Sequence, residues 1–270
     1  MTRRRFLSQA SAIAAFRALP VLAAESPQER GRQMIEKTIF ALGGDAFRNM
    51  RTRTETGRAY SFYREQLSGL AVARIYTKYM PAEERPGPPP LRQMQRQVFG
   101  KKGEDTVLFL PDEAYDISFR GAKPLPEDRV KQFRDTALHD IFYILRMRLK
   151  EPGLVFEHRG SEVVENQPVE TIDVFDAENR NVTVWLNSTT LLPTKQRFTR
   201  WDQTINDRRE EVTRFAKYRD IGNRIMWPYD VQRERDTEKI FEIYSEKVTA
   251  DEPLSDDLFE LPRGIKLLKK

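Results

Sequence analysis

The stretch Asn181-Val182-Thr183-Val184-Trp185-Leu186-Asn187-Ser188-Thr189-Thr190-Leu191-Leu192-Pro193-Thr194-Lys195 decides the fold. It begins with strict alternation: Val182, Val184 and Leu186 fall on one side of an extended chain, and Thr183, Trp185 and Asn187 on the other. Asn187-Ser188-Thr189 then supplies short polar side chains that favour a reversal, and Thr194 opens a second run of β-branched and aromatic residues ending at Trp201. The unit is strand, turn, strand. It recurs on both sides, with strands expected over 154–158, 169–175, 210–218, 225–235 and 238–248 and turns at 176–179, 220–223 and Asp236-Thr237. Strands joined in sequence by such short turns form an antiparallel meander.

Upstream, the pattern is mixed. Ser26-Pro27-Gln28-Glu29 places a hydroxyl at an N-cap, proline at the first helical position and a glutamate that can return a bond to the cap. A helix over 28–42 follows, its apolar residues Met34, Ile35, Ile39 and Leu42 spaced by three and four, and Gly43-Gly44 stops it. Residues 52–79 read as strand with a bend at Ser68-Gly69, and 81–90 as a proline-rich loop that can neither donate ladder bonds nor continue a helix. Strands over 95–99, 106–110 and 114–119 come next. One long helix over 127–150 then carries a broad apolar stripe of Val130, Phe133, Ala137, Leu138, Ile141, Ile144, Leu145 and Leu149. A sheet of about ten or eleven antiparallel strands cannot stay flat. The fold expected is therefore α+β: one domain over 25–270, a curved, open half-barrel with the helices on its concave face.

Composition sets the limits on chemistry. The 270 residues include no cysteine, which excludes disulfide frameworks, thiolate metal sites and a cysteine nucleophile. Four of the five formal positive charges belong to Arg3, Arg4, Arg5 and Arg17, ahead of any acid, so the rest of the chain is near neutral and has no field to hold nucleic acid. The cationic start, the weakly apolar stretch to Leu22 and small Ala23 and Ala24 have the anatomy of a signal peptide over 1–24. Arg3, Arg4, Phe6 and Leu7 resemble a twin-arginine signal. The expected location is periplasmic or otherwise extracytoplasmic, with no transmembrane segment in the mature chain. His139 and His158 are the only histidines, and there is no Gly-x-Ser-x-Gly, so neither a histidine metal site nor a serine hydrolase is indicated. No cofactor and no enzymatic activity are expected.

The order of elements then matters: a signal, a helix ending in Ala41-Leu42-Gly43-Gly44, strands, a helix, and a meander closing in Leu254-Ser255-Asp256-Asp257-Leu258-Phe259-Glu260-Leu261-Pro262. With Thr190-Leu191-Leu192-Pro193-Thr194-Lys195 and Trp227-Pro228, this order resembles the outer-membrane lipoprotein-sorting (LolA/LolB-like) superfamily over essentially the whole mature chain. The resemblance implies a carrier that holds lipid or lipoprotein acyl chains between sheet and helices. Two alternatives use the same half-barrel: a non-enzymatic envelope sensor that binds a protein partner, and a hydrolase of envelope polymers. For the carrier, the expected apolar cavity has Phe133, Ile141 and Leu145 of the long helix on one wall and Trp201 and Trp227 opposite.

Overall fold

The computed structural model describes residues 25–81, 91–101, 103, 105–202 and 205–269. The expected signal with Arg3, Arg4, Phe6 and Leu7, and all of the proline-rich segment after Pro81 up to Pro90, lie outside them. The capping box forms as expected: the Ser26 hydroxyl accepts from the Glu29 amide at 3.2 Å and the Glu29 carboxylate accepts from the Ser26 amide at 2.9 Å. It starts α1 (Pro27–Ala41), followed by the short α2 (Asp45–Asn49).

Among the described residues thirteen strands make one antiparallel sheet. They are β1 (Thr52–Tyr63), β2 (Gln66–Tyr79), β3 (Gln93–Phe99), β4 (Asp105–Phe109), β5 (Ala114–Ser118) and β6 (Gly121–Pro124), then β7 (Val155–Val164), β8 (Gln167–Phe175), β9 (Asn181–Asn187), β10 (Pro193–Asp202), β11 (Asp207–Asp220), β12 (Met226–Arg235) and β13 (Glu238–Ala250). Their spatial order is β6-β5-β4-β3-β2-β1-β13-β12-β11-β10-β9-β8-β7. Two meanders, β1 to β6 and β7 to β13, are thus joined where β1 pairs with β13. The outer edges are β6 and β7, and the segment between them in sequence is the helical one: α3 (Glu127–His139), α4 (Ile141–Tyr143) and a π-type turn over Ile144–Arg148.

Both edges are covered, as an exposed strand edge would otherwise recruit other chains. The C-terminal segment lies beside β6, the Ala122 amide donating to the Lys266 carbonyl and the Leu268 amide to the Ala122 carbonyl, each at 2.9 Å. Helix α1 lies against β7, so closely that a Cβ on Gly31 would stand 2.4 Å from the Phe156 carbonyl oxygen.

The sheet therefore has more strands than the ten or eleven expected. The one strand outside every segment expected to be strand, β6, is only Gly-Ala-Lys-Pro, without the aromatic or β-branched run that marks a strand. The first hairpin reverses at Arg64-Glu65, with φ of 48° and 60°, and not at Ser68-Gly69. Glu165-Asn166 and Asp236-Thr237 make the same left-handed two-residue turn, whose twist suits a hairpin even without glycine. The expected 127–150 helix is broken at Asp140, which is extended at φ −70° and ψ 122° and caps the next turn by accepting from the Tyr143 amide at 3.1 Å. The buried Gln196 side chain accepts from the Ile141 amide at 2.9 Å at the same break.

The break lets α4 and the π turn sink into the main core. Ile141, Ile144 and Leu145 pack there with Ile35, Leu42 and Phe47 from the N-terminal helices and with Val182, Val184 and Leu186, the aliphatic side of the deciding strand. Arg148 pins this layer. It is buried, donates to the Asp176 carboxylate at 2.6 Å, to Glu151 at 2.7 and 2.8 Å and to the Leu138 carbonyl at 2.6 Å, and Asp176 also accepts from Arg180 at 2.7 Å. Burial pushes the Asp176 carboxyl up, but bonds from Arg148 and Arg180 outweigh it and leave the group below the usual carboxylate range.

Two outcomes follow. Gly31→Ala, which on an open helix would stabilise by about 1 kcal/mol, is expected instead to destabilise by about 1–3 kcal/mol in urea unfolding, because the neighbour of the new methyl is backbone. Asp176→Asn is expected to destabilise by about 1.5–3 kcal/mol, because buried Arg148 keeps Glu151 but loses the charge-assisted bond to its second carboxylate. In the wild-type chain the lowered carboxyl makes this stabilisation complete above the ordinary aspartate pKa of about 4, and it is lost as pH falls through the lower folded value. Unfolding midpoints measured from pH 7 downward should show an acid-side loss that the Asn variant lacks.

Candidate functional site

On the inner face the strands present two surfaces of different chemistry. Odd-numbered residues of β1 and β2 face inward, and the first of these are polar. Arg53 donates to Glu55 at 2.9 Å and lies 4.1 Å above the Trp227 ring, while Glu55 also accepts from the Ser245 hydroxyl. The Thr77 hydroxyl accepts from Arg53 at 3.4 Å and from Gln95 at 3.2 Å, and Gln97 donates to Gln95 at 2.6 Å. On the far side, Glu211 accepts from Arg200 at 3.0 Å and Arg235 at 2.9 Å, and the Gln132 side chain of α3, its amide oxygen turned toward them, accepts from the same two guanidinia. This belt crosses the sheet. Burial pushes the Asp140 carboxyl up, against the cap bond from Tyr143 and the field of Arg233 and Arg53.

Beyond the belt the same strands turn apolar. Ala59, Ala73 and Ile243 are buried, with Ile75, Phe99, Val231 and Phe241 half-buried around them. Every member of this cluster is a strand residue of β1, β2, β3, β12 or β13; among the described residues no helix side chain joins it. Where Val182, Val184 and Leu186 meet large helix side chains, Ala59 pairs with Ala71 and leaves a floor of methyl groups. Phe133 of α3 stands off to one side, stacked on Phe109 with ring centroids 3.7 Å apart.

A polar groove of about 910 Å³ opens between α3 and the ends of β9 to β11, lined among others by Gln132, Asp135, His139, Arg180, Arg200 and Trp201. His139 is buried at its base, stacked on Phe198 at 4.2 Å with Nδ1 2.8 Å from the Asp135 carbonyl, and burial holds its imidazole below the usual histidine value. His158 bonds Glu170 at 2.7 Å, and the Ser161 hydroxyl donates to the same carboxylate at 2.8 Å. The carboxylate, not the imidazole, stands in the middle, so the arrangement is not that of a nucleophile, a histidine base and an orienting acid.

The five residues expected to line one cavity do not converge on one space. Ile141 and Leu145 are fully buried in the main core, and Trp227 is buried there too, against Phe142 at 4.7 Å and beneath Arg53. Trp201 is 56% exposed on the rim of the polar groove, and Phe133 packs on Phe109 and against the separate cluster of Leu91, Ala137, Leu138 and Tyr143. The floor itself was missed. Its signal in the sequence is small residues at alternate positions inside strand patterns, Gly57-x-Ala59 and Ala71-x-Ala73, where a filled core would carry larger side chains.

No protein-family model matches this sequence, and no curated protein matches it. Solved structures do. One is a DUF1329 family protein from Desulfovibrio piger, with a TM-score of 0.60 at 12% identity over 87% of this chain and 98% of that one. Another is a domain from Vibrio parahaemolyticus assigned by name to outer membrane lipoprotein sorting, with a TM-score of 0.55 at 13% identity over 86% and 97%. At these identities the likeness is one of fold alone: an open, curved antiparallel sheet with a few helices.

Proposed function

We propose that the chain is an exported, non-enzymatic carrier of a hydrophobic ligand, a lipid or lipoprotein acyl chain, working in the periplasm or an equivalent extracytoplasmic space. The observation that carries this reading is the apolar floor of Ala59, Ala73, Ile75, Phe99, Phe241 and Ile243, built by the sheet alone. An acyl chain laid on it would gain about 0.8 kcal/mol per methylene, so eight carbons would supply roughly 6 kcal/mol before ordering costs, enough for binding that remains reversible. The fold shared with a lipoprotein-sorting domain supports the same ligand class. Among the described residues no helix is long and apolar enough to cross a membrane.

The test is uptake of a dansyl-labelled long-chain fatty acid, read by the blue shift of its emission. Wild-type protein is expected to bind it, and Ala71→Phe, which places a ring beside Ala59 at the half-buried end of the floor, to bind about tenfold more weakly, a change of ~1.4 kcal/mol. Leu192→Phe, remote from the floor, serves as the control. Absence of uptake by the wild type, or equal uptake by Ala71→Phe, would overturn the assignment.

A further inference from the structure

The outer face of β2, β3 and β4 carries a second site, independent of the carrier reading. Val72, Arg74, Arg96, Val98 and Thr106 are the outward alternates of the inward Ala73, Ile75, Gln97 and Phe99. With Gly100, Lys101 and Gly103 of the β3–β4 turn they line a hollow of about 300 Å³. Three of its walls are cations, and among the described residues none of Arg74, Arg96 and Lys101 is paired with a carboxylate. Several other guanidinia meet carboxylates: Arg148 meets Asp176, Arg200 and Arg235 share Glu211, and Arg214 meets Glu234. Arg96 does not. It is half-buried, and its one hydrogen bond among the described residues runs from Nη1 to the Leu258 carbonyl at 3.2 Å. Half-buried Val98 lines the same hollow, and an apolar neighbour strengthens a charge-assisted bond made beside it.

We propose that this hollow binds a phosphate group, as a monoester or diester. Two guanidinium forks and an ammonium around one concavity match a tetrahedral anion with several acceptor oxygens, which can take bonds from more than one cation at once. The phosphate could be carried by a lipid headgroup or by a soluble ester. Val72, 44% exposed, and Leu70, 61% exposed, extend the same face with apolar surface that only the lipid would use.

The experiment has two arms: sedimentation of the protein with phosphatidylcholine vesicles with and without phosphatidylglycerol, and titration calorimetry with glycerol 3-phosphate. The double variant Arg74→Gln with Lys101→Gln changes two exposed side chains, so the fold is expected to hold; Lys131→Gln with Lys150→Gln removes the same charge elsewhere. Binding in at least one arm is expected, weakened about tenfold by the first pair, near unchanged by the second, and reduced by added salt. Phosphatidylglycerol-dependent sedimentation without a calorimetric signal identifies the lipid headgroup; a calorimetric signal alone identifies the soluble ester. No binding in either arm, or equal losses in both variants, would overturn the proposal.

Discussion

The pairing of β1 with β13 is the constraint on which the rest depends. It joins residues about two hundred positions apart, Arg53 with Ala250 through Ser61 with Phe241, whereas the other strand pairs are all between neighbours in sequence. The Asp251 carboxylate reinforces the junction by accepting from the backbone amides of Arg51 and Thr52 at 2.6 and 3.3 Å. Closing so long a loop costs chain entropy before any contact repays it. Once it is closed, the two meanders extend in opposite directions, and their far strands, β6 and β7, become the two edges of the sheet. The chain between β6 and β7 must then travel from one edge to the other. It does so as helix, which satisfies its own backbone as it runs over the inner face.

That crossing explains why the inner face has two parts. Asp140 interrupts the helix, and past it α4 and the π turn drop among Phe47, Phe215 and Trp227, with Phe142 edge-on to Phe47 and Phe215 at 6.5 and 5.0 Å. Before the break α3 stays higher, bonded to the sheet through Gln132 and the Arg200–Glu211–Arg235 group. The core is closed beneath the sunken half, and the methyl-lined floor lies on the other side of the polar belt. Charges placed between two apolar regions are tolerated only when they are fully bonded. The Arg53–Glu55–Ser245 and Thr77–Gln95 contacts meet most of that demand, although Nε of Arg53 finds no acceptor among the described residues.

Much of this was legible in the sequence, because alternation and turn chemistry are local. Val182, Val184 and Leu186 did turn to the core, and Ser26 with Glu29 did start a helix. What escaped was non-local or lacked side-chain signal. Arg64-Glu65 turns through a left-handed pair that contains no glycine or asparagine, so Ser68-Gly69 two residues on looked like the better reversal. Asp140 sits within an unbroken helical periodicity, and its cap on Tyr143 is joined at the break by Gln196, on a distant strand, which takes the Ile141 amide. Ile141 and Leu145 lie on the apolar stripe with Phe133, but the break rotates them into the core, which is why a stripe on one sequence segment did not become one wall of a cavity.

Register is what allows one strand to serve both faces. Along β2 the inward Ala71, Ala73, Ile75 and Thr77 alternate with the outward Leu70, Val72, Arg74 and Tyr76, so the methyl floor and the cationic hollow are interleaved on the same fourteen residues. A slip of one position would turn Arg74 onto the floor and Ala73 into the hollow, abolishing both. Two irregularities in β1 hold the frame against such a slip. One lies between Ser61 and Phe62 opposite β2, the other between Thr56 and Gly57 opposite β13. At the second, the backbones approach so closely that a Cβ on Gly57 would fall 2.2 Å from the Tyr244 carbonyl oxygen. Only glycine fits there, so the bulge fixes which residues of β1 and β2 face inward and thereby the chemistry of each face.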